Sequence, residues 1–350
     1  MRLPTASLSR GTVSGFVLAG IVLLLLLLEP SVPMVLFAAV LLAVFLNGCA
    51  TWITEHTRLP VPLALALTCL AIVAGFVALG WVAAPVLAEQ VGQLWQQLPR
   101  AVQGVQARLE QQSWGPALLE RLQPGQLMES VSGAGGGVAG RAGIAVVSTF
   151  GALATFAIIV VLGLFLAIDP GTYRAGIVML VAPSGRERAE AVLRQLGRAL
   201  QGWLLAQFAS MAVIGALTAL GLWLLGVQLA VVLGVIAALL TFIPNLGPIL
   251  AAVPALLLAF ADGPTEVLWV AALYVGVQLI EGNVTTPLIQ QRTISLPPVL
   301  IMAAQLLMAS LFGLLGLALA TPLAAVGLTL TQALYVHGYL GSEPGRGPPT

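Results

Sequence analysis

The stretch VVLGVIAALLTFIPNLGPILAAVPALLLAF (231–260), with LYVGVQLIEGNVTTPLIQQRTISLPP (273–298) and LFGLLGLALATPLAAVGL (311–328) after it, decides how this chain is read. Its apolar runs are long enough for lipid, yet Pro, Gly and Asn interrupt them, and one carboxylate, Glu281, stands at the edge of a run. A bilayer core holds no water to satisfy freed backbone groups. Broken helices and charges are tolerated there only against protein or a water-filled cavity. Residues 227–322 are therefore the expected working part, and what precedes them the scaffold.

Of the 350 residues, 59% are hydrophobic and 8% charged, with a mean hydropathy of +1.03. Soluble domains carry about 25% charged residues, so this chain lacks the polar surface to cover a soluble fold. An all-α, polytopic membrane protein follows. The net charge of +1 gives nucleic acid no hold, and all fourteen basic residues are Arg, which excludes lysine-based covalent chemistry. Cys49 and Cys69 fall in apolar runs and read as small buried hydrophobes. His56 and His337 lack partners at metal-ligand spacing. No hydrolase, zinc-protease, redox or dinucleotide signature is found. Neither an enzyme nor a cofactor or metal is expected.

Residues 12–28 form the first apolar run, read as an uncleaved span because Glu29-Pro30-Ser31-Val32-Pro33 offers no small-x-small cleavage site. Residues 32–53 return, and 61–86 are a third span ended near Pro85. From 87 the character changes: Val91, Trp95, Leu98, Val102, Val105 and Leu109 recur at steps of four and three, an amphipathic stripe. It would lie on the membrane or on its own protein, or pack against a second copy. The Gly-rich stretch 132–143 reads as a linker. The fourth span, 144–168, stops at Asp169-Pro170-Gly171. Arg174, Arg186, Arg188, Arg194 and Arg198 follow, and Ser184 with Glu187 is a capping-box signal for a helix that continues into a span at 203–225. Short arginine-rich flanks stay cytoplasmic. That places the N-terminus, Arg58 and the five arginines inside, and the 87–143 insert outside. The chain divides into 1–86, 87–143, 144–225, a core of broken helices at 226–337, and a Gly/Pro-rich tail at 338–350.

Residues 227–242 would make about 24 Å of helix and 249–261 about 20 Å, against a hydrocarbon core of about 30 Å. Two half-crossings in a hairpin and one long kinked helix both fit. The last block, 299–335, is broken at Phe312-Gly313 and at Thr321-Pro322. A weak echo relates Leu246-Gly247-Pro248-Ile249-Leu250-Ala251 to Leu315-Gly316-Leu317-Ala318-Leu319-Ala320, each with a Pro beyond it (Pro254, Pro322). Corresponding broken segments in two halves point to a transport site.

Glu281 leads the candidate residues. A charge at mid-helix costs roughly 2.5–3.5 kcal/mol, so Glu281 either binds a proton or cation or sits at the interface. Helical spacing puts Gln278 on its face, and Asn283, Thr285 and Thr286 add hydrogen-bonding groups. Asn245 lies between Pro244 and Pro248, where freed carbonyls suit a cation or a sugar-like hydroxyl, unless the break is merely a turn. Gln305 stands in an apolar run. Asn47 and Gln207 read as interhelical glue.

With Ile243-Pro244-x-x-Gly247-Pro248 and Pro254, Gln278-x-x-Glu281-x-Asn283-x-x-x-Pro287, Pro298, and Phe312-Gly313-x-x-Gly316 with Pro322, the chain resembles the autoinducer-2 exporter (AI-2E) family of bacterial and archaeal permeases. The resemblance implies around eight spans in the bacterial cytoplasmic membrane. It also implies export of the autoinducer-2 signal, or exchange of sodium or lithium for protons, and it leaves a homo-oligomer open. The expectation is a secondary transporter of a small polar solute or monovalent cation, embedded in membrane lipid. Segments 244–248 and 312–322 would line its site and Glu281 would couple it to protons or cations. An oligomeric channel and a non-transporting scaffold are the alternatives.

Overall fold

A computed structural model describes residues 31–110, 141–285 and 297–336, together with positions 20 and 29. The expected first span, residues 111–140 of the insert and linker, Thr286, Pro287 and the tail lie outside the described residues. Nine α-helices are described: α1 (Ser31–Thr57), α2 (Val61–Glu110), α3 (Arg141–Ile168), α4 (Pro170–Met179), α5 (Arg186–Leu224), α6 (Ala230–Leu240), α7 (Leu246–Asp262), α8 (Pro264–Ile280) and α9 (Pro298–Leu330). Single π-helical turns, Glu281–Thr285 and Thr331–Val336, follow α8 and α9. No strand occurs among the described residues. Among the described residues, five helical segments are long and apolar enough to cross a bilayer: Ser31–Thr57, Gly151–Ile168, Pro183–Leu224, Pro264–Asn283 and Pro298–Leu334. The protein is an all-α polytopic membrane protein.

Local chemistry explains most helix ends. α3 stops at Ile168 because Pro170 cannot continue it. Asp169 instead caps α4, its carboxylate accepting from the Thr172 amide at 3.1 Å and the Thr172 hydroxyl at 2.5 Å. α5 begins at Arg186, after a 3₁₀ turn that holds Ser184, and runs unbroken into the span, as the sequence indicates. It ends in a Schellman motif: Gly226 takes φ +78°, Val227 N–H bonds Leu222 C=O at 2.9 Å, and Gly226 N–H bonds Trp223 C=O at 3.0 Å.

No break in the helix marks the end expected for the third span near Pro85: α2 is one helix of 50 residues through Pro85 and Pro99, and the hydrogen bond a proline removes is tolerated where neighbouring helices compensate it. Of the readings open for the insert, its beginning takes the one on its own protein. Leu87, Leu94 and Ala101 of α2 pack into a core cluster with Leu222, Leu229, Leu233, Leu258 and Val270.

The chain forms two compact units: Met1–Ala71, Ala154–Leu205 and Arg292–Thr350; and Ile72–Leu153 with Ala206–Gln291. Both draw on segments from along the chain and so cut across the linear division of the sequence. Lipid removes the hydrophobic drive for helices to associate, so close van der Waals packing through small residues must supply it. In the first unit a methyl group added at Gly48 of α1 would come within 2.6 Å of Gln201 Nε2 on α5, and one at Gly163 of α3 within 2.8 Å of Leu42 on α1. In the second unit, Gly215-x-x-x-Ala219 on α5 faces Gly234-x-x-x-Ala238 on α6, antiparallel. A Cβ at Gly215 would lie 2.7 Å from Ala238 Cβ, and one at Gly234 2.9 Å from the Gly215 carbonyl oxygen.

Both broken segments are sharp reversals. A Cβ on Gly247 would strike the Leu240 carbonyl, although residues seven apart in a straight helix are separated by about 10 Å. α6 and α7 are thus two helices, of about 17 and 25 Å, in a hairpin rather than one long kinked helix. In α9, Gly313 takes φ +60°, ψ −143°, and a Cβ on Gly316 would strike the Met308 carbonyl. α9 is therefore two limbs of roughly 22 and 25 Å. Pro254 and Pro322 each lie inside the helix that follows the reversal. The glycines aligned by the sequence echo, Gly247 and Gly316, do the same work in the two segments.

Candidate functional site

The second unit collects most of the candidate residues around the α6–α7 turn. Asn245 takes φ +66°, ψ −49°, and Leu246 N–H bonds Pro244 C=O at 2.8 Å. This is a γ-turn of the rare positive-φ kind, a strained conformation. The backbone carbonyls at the break are occupied: Leu239 by Phe242 N–H, Leu240 by Ile243 N–H, and Ile243 by Gly247 N–H. The Thr241 carbonyl accepts from Gln207 Nε2 of α5 at 2.7 Å, and the Thr241 hydroxyl donates to Ala237 C=O. At the other end of α6, Val232 N–H donates to Gln90 Oε1 of α2 at 3.0 Å. The eleven-residue α6 therefore has one backbone group at each end held by a glutamine amide from a neighbouring helix. An unsatisfied backbone group there would cost several kcal/mol.

α8 brings the carboxylate to the same level. Gly263 lets α8 turn back on α7, and the Tyr274 hydroxyl donates to Ala251 C=O at 3.2 Å, which sets the register of the pair. From that bond Glu281 is seven residues on along α8 and Asn245 six residues back along α7. With antiparallel helices both lie about 10 Å beyond it in the same direction. Val277, one turn before Glu281, packs in a buried cluster with Ile214, Ala237 and Ala251. This cluster ties α5, α6, α7 and α8 together just behind the turn.

Glu281 is half-buried. Gln278 Nε2 donates to its Oε2 at 2.8 Å, a charge-assisted bond, while Asn283 Nδ2 donates to Leu279 C=O at 2.9 Å. Glu281 opens the π-helical turn Glu281–Thr285, a widening that recurs at functional sites. Asn245, Gln278 and Asn283 are exposed within the chain. The end of α8 therefore carries one carboxylate and two amides, and the α6–α7 turn a third amide. Thr285 lies in the π-helical turn, and Pro287 outside the described residues.

The other candidates belong to the first unit. Gln305 is 1% exposed, and Gly316, Thr321, Pro322 and Thr329 are likewise buried. The Thr321 hydroxyl makes no hydrogen bond among the described residues. Asn47 is not interhelical glue: it donates to Ala43 C=O of its own helix. Gln207 is glue as expected, placed at the break itself. Gln90 escaped the sequence reading, and so did the paired Gly-x-x-x-Ala spacing of α5 and α6. The equal four-residue spacing was a signal that could have been read.

The sequence profile described as AI-2E family transporter matches residues 15–335. The chain is 34% identical over 147 residues to "Putative transport protein YrrI" of Bacillus subtilis (strain 168), covering 42% of each chain. It is 36% identical over 104 residues to "AI-2 transport protein TqsA" of Escherichia coli (strain K12), covering 29% of this chain and 30% of that one. The matched segments thus span less than half the length of either relative. The profile match takes in nearly the whole chain, including both broken segments and Glu281, and by it this protein belongs to the AI-2E family of membrane transporters.

Proposed function

We propose that the protein is a secondary transporter of a small polar solute, with the α6–α7 turn and the Gln278–Glu281 pair as its binding site. Glu281 is the group that carries a proton or monovalent cation. The single observation that supports this most is the register set by Tyr274. It brings a strained turn and a half-buried carboxylate to one level of a bundle whose helices are otherwise apolar. Such a carboxylate in a membrane helix has a functional use by default. Autoinducer-2, the solute in TqsA's name, is the first substrate to test, with sodium or lithium as the exchanged ion. The arginine-flanked segments support a cytoplasmic N-terminus in the bacterial inner membrane.

Reconstituted proteoliposomes test the site. Solute flux by the wild type should respond to an imposed proton or sodium gradient, and Glu281→Gln should leave residual flux that no longer responds. Equal gradient dependence in the two proteins would remove Glu281 from the coupling role.

A further inference from the structure

A second surface lies in the first unit, where α3 ends. α4 has no buried residue, and Tyr173, Ile177, Met179 and the adjoining Leu180 are all exposed. It begins immediately after the apolar Gly151–Ile168 segment. Its uncovered side chains therefore lie where a span leaves the hydrocarbon. A short helix with apolar side chains, a Tyr and an Arg at that level suits the headgroup–acyl boundary.

Arginine outnumbers carboxylate around it. Arg174, Arg186, Arg188, Arg194 and Arg198 are all exposed. Among the described residues only Arg194 makes an ion pair, with Glu190 at 2.8 Å. Glu187 is the other acidic group of α5 here, and Asp169 is engaged in capping α4. Arg174 and Arg186 are held at the base of the fork: Arg174 Nε donates to Pro170 C=O and Arg186 Nε to Val181 C=O, each at 3.3 Å. Each is left with its terminal nitrogens to meet two oxygens of a phosphate, the arrangement for which guanidinium is suited. Arg188 Nη2 donates to Ala333 C=O at 2.5 Å and so ties the start of α5 to the π-turn after α9.

We propose that α4 and these arginines form a docking surface for anionic phospholipid headgroups, with Arg174 and Arg186 each offering a guanidinium to headgroup phosphate and the apolar side chains of α4 resting among the upper acyl carbons. The occupant is a bilayer lipid because apolar and cationic groups are continuous here. A zwitterionic lipid fits less well, since its own ammonium compensates the phosphate.

The test uses the full-length protein in detergent, with short-chain phosphatidylglycerol, the matching phosphatidylcholine, or inorganic phosphate added. Thermal unfolding should shift upward with phosphatidylglycerol and little with the other two. Arg174→Gln with Arg186→Gln should weaken phosphatidylglycerol about thirtyfold, since each basic group near an anionic surface contributes roughly a factor of five. The Lys pair at the same positions should retain the preference for anionic lipid and checks that the site still folds. Equal shifts with the two lipids, or an equal shift with inorganic phosphate, would overturn the assignment of the lipid. An undiminished phosphatidylglycerol response in the Gln pair would overturn the assignment of the residues.

Discussion

Asn245 adopts a backbone conformation that glycine enters freely and other residues rarely do. Its place between two prolines explains why the chain accepts the strain: neither flank can extend a regular helix across it. Asn245→Gly should keep or raise the midpoint of thermal unfolding, while the β-branched Asn245→Val should cost about 1–3 kcal/mol. Unfolding of the detergent-purified variants separates the two. At Asp169, the Thr172 hydroxyl and then its amide hold the carboxyl below the usual aspartate range. The sign follows from that direction. A depressed folded value stabilises the cap above the unfolded value of about 3.9, and the contribution is lost as pH falls through the folded value. Amide exchange in α4, corrected for its intrinsic rate, should lose protection over that acid range, and Asp169→Asn should abolish the pH dependence.

The pairing of α5 with α6 is the element that sets the working turn in place. Gly234 meets Ala219 and the Gly215 carbonyl with no room for a further carbon. Backbone and a Cβ cannot swing aside as a long side chain can. Gly234→Val should therefore lower stability by about 1–3 kcal/mol through overpacking. Gly276→Ala is the matched control, because nothing lies within 4 Å of a Cβ there, and its unfolding midpoint should hold or rise. Were Gly234→Val as stable as the control, the close approach of α5 and α6 would not be what holds α6.

For the whole molecule, the arginine distribution carries an orientation that flux and lipid binding both depend on. In a variant with Cys49 and Cys69 replaced by Ser, a single cysteine at Ser184 should label only from the cytoplasmic side. One at Ser113 should label only from outside. Labelling of both from one side would reverse or dismantle the proposed topology.

From sequence alone came the membrane class, the interruptions at Pro244–Pro248 and Gly313, the stop at Asp169-Pro170-Gly171 and the prominence of Glu281. Each is written in residue types that a bilayer or a helix cannot ignore: proline, glycine and charge. The tertiary structure decided the rest. It made hairpins of the breaks, carried α2 through Pro85, assigned Gln207 and Gln90 to the two ends of α6, and brought Glu281 level with Asn245. Those outcomes depend on helix rotation and register. In runs composed almost wholly of Leu, Ala, Val and Gly, successive registers differ little in composition. Close packing of particular glycines and a few long-range hydrogen bonds selects among them.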